Sequence, residues 1–243
     1  MKRAFLVGLN YPRDASLSLK GPSQDVAGLA ACLAANGYED IVVDTDADAP
    51  YTGDAFLAHL LELAARAQPG DTVWIHYSGH GESVYDRDGD ETDMRDECIV
   101  IGRTDFVSDD MLRVALDRFD AGVRVMITMD CCHSGTICDL AYTWDMDRDD
   151  VATYNSHYST KADVTMISGC MDAQYSMDVY VRERAANMGI MSHCLIECLT
   201  ADPSLEERPV DLKARIGTML KERKYVQRPI LTTSRATAAP PQP

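Results

Sequence analysis

An α/β fold with a mostly parallel sheet of six to eight strands and helices on both faces is what this 243-residue sequence predicts. Three observations carry that reading. Short apolar runs alternate with stretches of helical period. Two helical stretches open on capping residues, Ser23 and Thr52, and the first closes on Gly37. The order strand, helix, strand recurs along the chain, which is how parallel strands with helical crossovers are built.

The first run, RAFLVGL (3–9), reads as a buried strand, and SQDVAGLAACLAANG (23–37) as a helix with Ser23 at its cap and Gly37 at its end. DIVVD (40–44) is the second strand. TGDAFLAHLLELAARA (52–67) is a helix opening on a Thr52 cap, and DTVWIHYSG (71–79) is a third strand running into a glycine-bounded turn. ECIVI (97–101) is a short strand, SDDMLRVALDRF (108–119) a helix, and VRVMITM (123–129) a strong fourth strand. The pattern resumes at DVTMISG (163–169), GIMSHCLIECL (189–199), VDLKARIGTMLKERK (210–224) and RPILTTS (228–234). Residues 141–162 have no period and mix acids, Tyr and Ser, which predicts a long surface loop. The closing SRATAAPPQP has nothing to pack, so 235–243 is expected to be a disordered tail. One domain over 1–234 is the simplest organisation, with halves 1–140 and 163–234 joined by that loop.

Composition narrows the function classes. A chain this long, 46% hydrophobic, buries a core without disulfide staples. The apolar run near the start is only six residues long, too short for a signal segment, and no stretch could span a bilayer. A cytoplasmic protein with reduced thiols is expected. The net charge of −16 leaves no basic face for nucleic acid and gives cationic partners a slight advantage.

In open parallel sheets chemistry collects beyond the carboxyl ends of the strands. Two strand ends here carry reactive side chains: HYSGHG (76–81) after the third strand and DCCHSG (130–135) after the fourth. A His from one strand end and a Cys from its neighbour is what a thiol nucleophile needs, because imidazole handles the proton while the thiolate attacks. His76 lies inside its strand run and reads as packed, whereas His80 sits between two glycines in a turn and reads as the base. Cys131 continues its strand and should be buried, whereas Cys132 opens the turn. A zinc site from Cys131, Cys132, His133 and Cys138 is the competing reading, but adjacent cysteines hold one tetrahedral ion awkwardly and no C-x-x-C pair is present. His80 precedes Cys132 by 52 residues, and caspases in general carry their histidine about 50 residues upstream of the nucleophile.

The two motifs resemble the active-site motifs of metacaspases, the caspase-like cysteine peptidases of clan CD, family C14, where H-[YF]-S-G-H-G is followed by D-x-C-H-S-G. LKGPSQDV (19–26), MISGCMDAQYSMD (166–178) and QRPILTTS (227–234) are similar, in the same order, to the stretch before the family's first helix, the opening of its small-subunit half and its closing strand. Pro22, Gln24 and Cys131 depart from the family pattern, where Cys, Asn and Ser are usual, and all three bear on fine specificity. The resemblance implies the caspase-hemoglobinase fold and a catalytic domain of the type I or bacterial kind without a prodomain. It implies Cys132 as nucleophile, His80 as acid-base partner, and the backbone N–H groups of Gly81 and Cys132 as the oxyanion hole. Asp25, Ser78 and Asp130 would line an acidic pocket that selects Arg or Lys at P1, the residue before the scissile bond. From the residues alone, Asp25 is equally a helix N-terminal acid stabilised by the dipole. The expected function is a cysteine endopeptidase cutting proteins or peptides after Arg or Lys; the alternative is a catalytically inactive caspase-like adaptor.

Residues 86–97, DRDGDETDMRDE, crowd seven acids into twelve positions. Asp86, Asp88, Asp90 and Glu97 fall at EF-hand positions 1, 3, 5 and 12, but Glu91 replaces the required glycine and no helix precedes, which argues against an EF-hand. The metacaspase resemblance implies a different, activating Ca²⁺ site made by Asp96, Asp109, Asp110 and Asp139. The bland reading is a solvated acidic face with Asp109 capping a helix. The resemblance further implies self-cleavage in the inter-half loop, after Arg148 or Lys161, and a monomer.

Overall fold

The computed structural model describes residues 1–85, 94–132, 135, 137–145, 150–153, 159–169, 178–181 and 186–236. The first half of the chain forms β1 (Lys2–Gly8), α1 (Pro22–Ala35), β2 (Asp40–Thr45), α2 (Gly53–Arg66), β3 (Thr72–Ser78), β4 (His80–Tyr85), β5 (Arg95–Gly102), β6 (Asp105–Ser108), α3 (Asp109–Leu116) and β7 (Arg124–Asp130). There follow β8 (Tyr142–Asp145), β9 (Asp150–Thr153), β10 (Asp163–Ser168), β11 (Asp178–Val181), β12 (Ala186–Gly189), α4 (Ile190–Ala201), a 3-10 turn (Pro203–Glu207), α5 (Pro209–Glu222) and β13 (Ile230–Thr233).

Eight strands make the main sheet, in the order β2-β1-β3-β7-β10-β13-β8-β9. The run from β2 to β10 is parallel, and β13, β8 and β9 continue it antiparallel. This is the mostly parallel sheet that the sequence predicts. Side-chain alternation divides its contacts between two cores. Phe5 and Val7 of β1, Val73 and Ile75 of β3, and Val125, Ile127 and Met129 of β7 meet Phe56 and Leu60 of α2 and Leu112 and Leu116 of α3. Ala4, Leu6, Trp74 and Met126 face the other way, into a core with Val26 and Leu29 of α1, Leu195 of α4 and Ile216 of α5. Because α4 and α5 belong to the second half of the chain, this second core clamps the two halves together.

Four expectations are corrected. Ser23 does not cap α1: Pro22 takes the first helical position, where its missing N–H is no loss, and Gly21 stands at the cap with no side-chain bond. Ser23 instead donates its backbone N–H to Asn10 Oδ1 at 2.8 Å. Likewise Ser108, accepting from Met111 N, caps α3, and Asp109 is the first helical residue. His80 is no turn residue either; it opens β4, in a separate antiparallel sheet with β5 and β6 that also holds the ECIVI segment. Finally, 141–162 contains β8 and β9, which extend the sheet beyond β13. These two short strands are held by backbone pairing and by single anchors such as the buried Trp144 of β8, so no period marks them in the sequence. Of the expected tail, Arg235 donates to Lys161 O at 2.9 Å, and 237–243 lie outside the described residues. Thr52 does cap α2, accepting from Ala55 N at 3.1 Å, and Gly37, at φ +84°, follows the last turn of α1. Among the described residues no helix is long and apolar enough to cross a membrane.

Candidate active site

β3 and β7 are adjacent and parallel, with His76 opposite Thr128 and Ser78 opposite Asp130. These four side chains share the α1/α4 side of the sheet by the same alternation that sends Tyr77 and Met129 to the other side. Beyond the strand ends the chains diverge. Gly79 turns β3 into β4, so that His80 stands over the sheet edge, and β7 runs on into Cys131 and Cys132. Cys131 joins the α2/α3 core at zero exposure, whereas Cys132 is half-buried. His80, Cys132, Ser78, Asp130, Pro22 and Gly189 line one narrow cavity of about 40 Å³, well under the ~300 Å³ of an ordinary ligand pocket. A larger cavity of about 530 Å³, between the Pro203–Glu207 turn and α5, has no cysteine or histidine in its lining.

His80 is held from three sides. Its Nε2 is 2.7 Å from Leu17 O, and a carbonyl only accepts, so Nε2 carries the proton and Nδ1 is the basic nitrogen. Its backbone N–H donates to Tyr11 Oη at 2.9 Å, and the two rings lie 5.0 Å apart. Tyr11 Oη in turn donates to Val100 O at 2.6 Å, and Tyr77 Oη donates to His80 O at 2.9 Å. Burial pushes the Tyr11 phenol well above its ordinary range, so it stays protonated. Gly81, the next residue, has no room for a side chain: a Cβ there would stand 1.9 Å from Cys132 O and 3.3 Å from Cys131 Sγ. That close approach brings the backbone of β4 against the backbone of Cys132.

The acidic residues expected in a pocket do converge. Asp25, in the first turn of α1, accepts from Ser78 Oγ at 2.7 Å and from Gly189 N–H at 3.0 and 3.1 Å. It is therefore a helix N-terminal acid that stands behind the cleft wall, bonded to two residues, Ser78 and Gly189, that line it. Asp130 Oδ2 accepts from Ser192 N at 2.8 Å and from Ser192 Oγ at 2.7 Å. Both carboxylates are almost fully buried. His76 sits behind them, with Nδ1 2.8 Å from Thr128 Oγ1 and Nε2 3.5 Å from Ser192 Oγ. Complete burial pulls its pKa down to about 3, so the ring is neutral.

Asp96, Asp109, Asp110 and Asp139 come from β5, the start of α3 and the segment after β7. Asp109 Oδ2 accepts from Glu97 N at 2.7 Å and Oδ1 from Asp110 N at 2.8 Å. Burial, opposed by those hydrogen bonds and reinforced by the Asp96 and Asp110 charges, pushes its carboxyl up to about 7. Carboxylate oxygens are the hard donors that Ca²⁺ takes. Arg113 already supplies one positive charge: its Nη2 is 2.7 Å from Asp110 and its Nε 3.9 Å from Asp139. Among the described residues no three His, Cys, Asp or Glu side chains stand together in a ready metal cage. Asp139 is at φ +45°, in the left-handed region. His133, Asp86, Asp88, Asp90, Glu91 and Arg148 lie outside the described residues, and Lys161 is exposed.

Sequence reasoning missed Leu17, Tyr11, Gly189 and Ser192. Leu17 contributes only its carbonyl, for which no residue type is a signal. Tyr11 belongs to a stretch read only as the end of an apolar run, and Gly189 and Ser192 to a segment, 189–199, read only as a resumption of the strand and helix pattern.

A family model described as Metacaspase, peptidase C14 domain, matches residues 2–141. Metacaspase-3 of Trypanosoma brucei brucei is 32% identical over 261 residues, which span 96% of this chain and 71% of that protein. Inactive metacaspase-4 of the same organism is 30% identical over 256 residues, 96% of this chain and 72% of its own length. Among solved structures, caspase-1 of Spodoptera frugiperda superposes with a TM-score of 0.61 at 13% identity, covering 97% of this chain and 86% of that one. That likeness is one of fold.

Proposed function

The chain belongs to the metacaspase family and is a cysteine-type peptidase, and on that premise we propose that it is an endopeptidase that cuts after Arg or Lys with Cys132 as nucleophile and His80 as acid-base partner. The observation that carries the reading is the single cleft lined by His80, Cys132, Ser78 and Asp130. In the first step Cys132 Sγ gives its proton to His80 Nδ1 and attacks the scissile carbonyl carbon. The carbonyl oxygen becomes an oxyanion that accepts from the backbone N–H groups of Gly81 and Cys132. His80 then returns the proton to the departing amine, leaving a thioester on Cys132. Water, deprotonated by His80, hydrolyses the thioester and restores the thiol. The carboxylates of Asp25 and Asp130 receive the cationic P1 side chain through charge-assisted hydrogen bonds.

Asp96, Asp109, Asp110 and Asp139 would hold Ca²⁺, whose positive charge would draw the three segments that carry them together next to the nucleophile's loop. Self-cleavage after Arg148 or Lys161 in 141–162, action as a monomer, and residence in a reducing compartment complete the reading. The reading of an inactive adaptor is disfavoured because both reacting side chains are present in one cleft.

The test is cleavage of fluorogenic peptides that differ only in Arg, Lys or Asp at P1, with and without calcium, together with a covalent thiol probe on a basic peptide. Turnover of the Arg and Lys peptides only, and labelling lost in Cys132→Ala, are expected. Preferential cleavage after Asp refutes the specificity, activity indifferent to chelation and to Asp109→Ala refutes the calcium dependence, and an unlabelled Cys132 refutes the mechanism.

A further inference from the structure

We infer that the amino-terminal end of α4 is the selecting floor of the P1 pocket, with Gly189 as a position that must stay bare and Ser192 as the residue that positions Asp130. The inference rests on the basic-P1 reading above and extends it to residues outside 2–141, the span matched by the family model.

Two carboxylates from the first half of the chain meet one turn of backbone from the second half. Gly189 N–H bonds both oxygens of Asp25, and Ser192 bonds Asp130 twice, through N–H and through Oγ–H. The amide between them is crowded on both sides. A Cβ on Gly189 would stand 2.3 Å from Asp130 Oδ2 and 3.0 Å from Asp25 Oδ2. Since Gly189 also lines the cavity with Asp130 and Cys132, a methyl group there would displace Asp130 and occupy space that the substrate side chain needs.

The donors are neutral hydroxyl and amide groups at a helix N-terminus, so they orient the carboxylates without an opposing formal charge. His76, buried behind Ser192 and uncharged, is likewise no counter-ion. An arginine or lysine at either place would satisfy Asp130 permanently and leave nothing for a cationic P1 to gain. The arrangement suits a pocket that reads a cationic side chain brought by the substrate. Ser192 acts through Asp130 and touches no reacting atom, so its loss should weaken ground-state and transition-state binding alike and raise KM with little change in kcat.

Steady-state kinetics on Arg and Lys peptides for Gly189→Ala, Ser192→Ala and Ser192→Thr, with the rate of Cys132 alkylation by iodoacetamide mapped by peptide mass, decide the matter. Ser192→Ala should raise KM about tenfold at nearly constant kcat, and Ser192→Thr should restore most of the loss. Gly189→Ala should lose at least a hundredfold in kcat/KM while alkylation of Cys132 stays within about twofold of the parent. A Ser192→Ala variant with unchanged KM, or one losing kcat and alkylation rate together, overturns the inference, as does a Gly189→Ala variant with undiminished kcat/KM. Where Gly189→Ala does not fold, the Ser192 pair decides alone. A parent enzyme that turns over neither basic peptide refutes the specificity reading and this inference with it, whereas an active parent with indifferent variants refutes this inference only.

Discussion

Replacing Gly81 by alanine puts the proposed oxyanion geometry to the test with one methyl group. The new Cβ would lie 1.9 Å from Cys132 O and 3.0 Å from its carbonyl carbon. Carbon and carbonyl oxygen rest at about 3.3 Å, so one backbone must retreat by about 1.4 Å from the other. No rotamer change relieves the clash, because the atoms met first are main-chain atoms; Cys131 Sγ, the third neighbour at 3.3 Å, is itself buried in the core. The retreat carries with it the N–H of Gly81 or of Cys132, the two donors of the mechanism. A misplacement of about 1 Å costs on the order of 10²-fold in rate, equivalent to about 2.7 kcal/mol of transition-state stabilisation. Overpacking should also remove about 1–3 kcal/mol of stability. The assay is kcat/KM on an Arg peptide, with thermal unfolding followed by circular dichroism on the same preparation. A folded Gly81→Ala enzyme with kcat/KM within threefold of the parent would refute the claim that this backbone contact sets the catalytic geometry.

Three further outcomes are expected. His76 has a folded-state pKa near 3 against an ordinary 6.5, so as pH falls the unfolded chain binds a proton first and stability is lost, by up to about 1.4 kcal/mol per pH unit between pH 6.5 and 3. His76→Gln should flatten that part of the urea-unfolding profile by close to one proton, and an unchanged slope contradicts the burial argument. Tyr11→Phe removes the acceptor of His80 N–H and the donor to Val100 O; it should cost about 1–3 kcal/mol of stability and lower kcat about tenfold, and undiminished kcat would show that His80 needs no such support. Arg113 pairs with carboxylates of the proposed calcium site across a half-exposed contact worth about 0.5–1 kcal/mol, so Arg113→Gln should tighten Ca²⁺ binding two- to fivefold by titration calorimetry; weaker or equal binding excludes competition between the guanidinium and the ion.

Parts of the site that depend on local geometry were readable from residue order. Alternation along β3 and β7 separates His76, Ser78, Thr128 and Asp130 from Tyr77 and Met129, so the burial of Cys131 and His76 and the cleft position of Cys132 followed from counting residues. The strands added beyond β13, β8 and β9, left no such trace, because backbone hydrogen bonds are indifferent to the side chains that carry them. The same indifference hid the His80 partner Leu17 O, a main-chain acceptor.

By itself, the sequence determined the α/β class, the two reactive side chains on neighbouring strand ends and the acidic character of what surrounds them, since each of these is written in residue type and short-range period. Only the tertiary structure decided which nitrogen of His80 is basic, that Asp25 at a helix terminus bonds residues lining the cleft, and that Gly189, just before α4, lines it too. The physical reason is separation along the chain: Gly189 meets Asp25 across 164 residues and Ser192 meets Asp130 across 62. Contacts of that reach are set by how two cores pack on one sheet, and no local pattern records them.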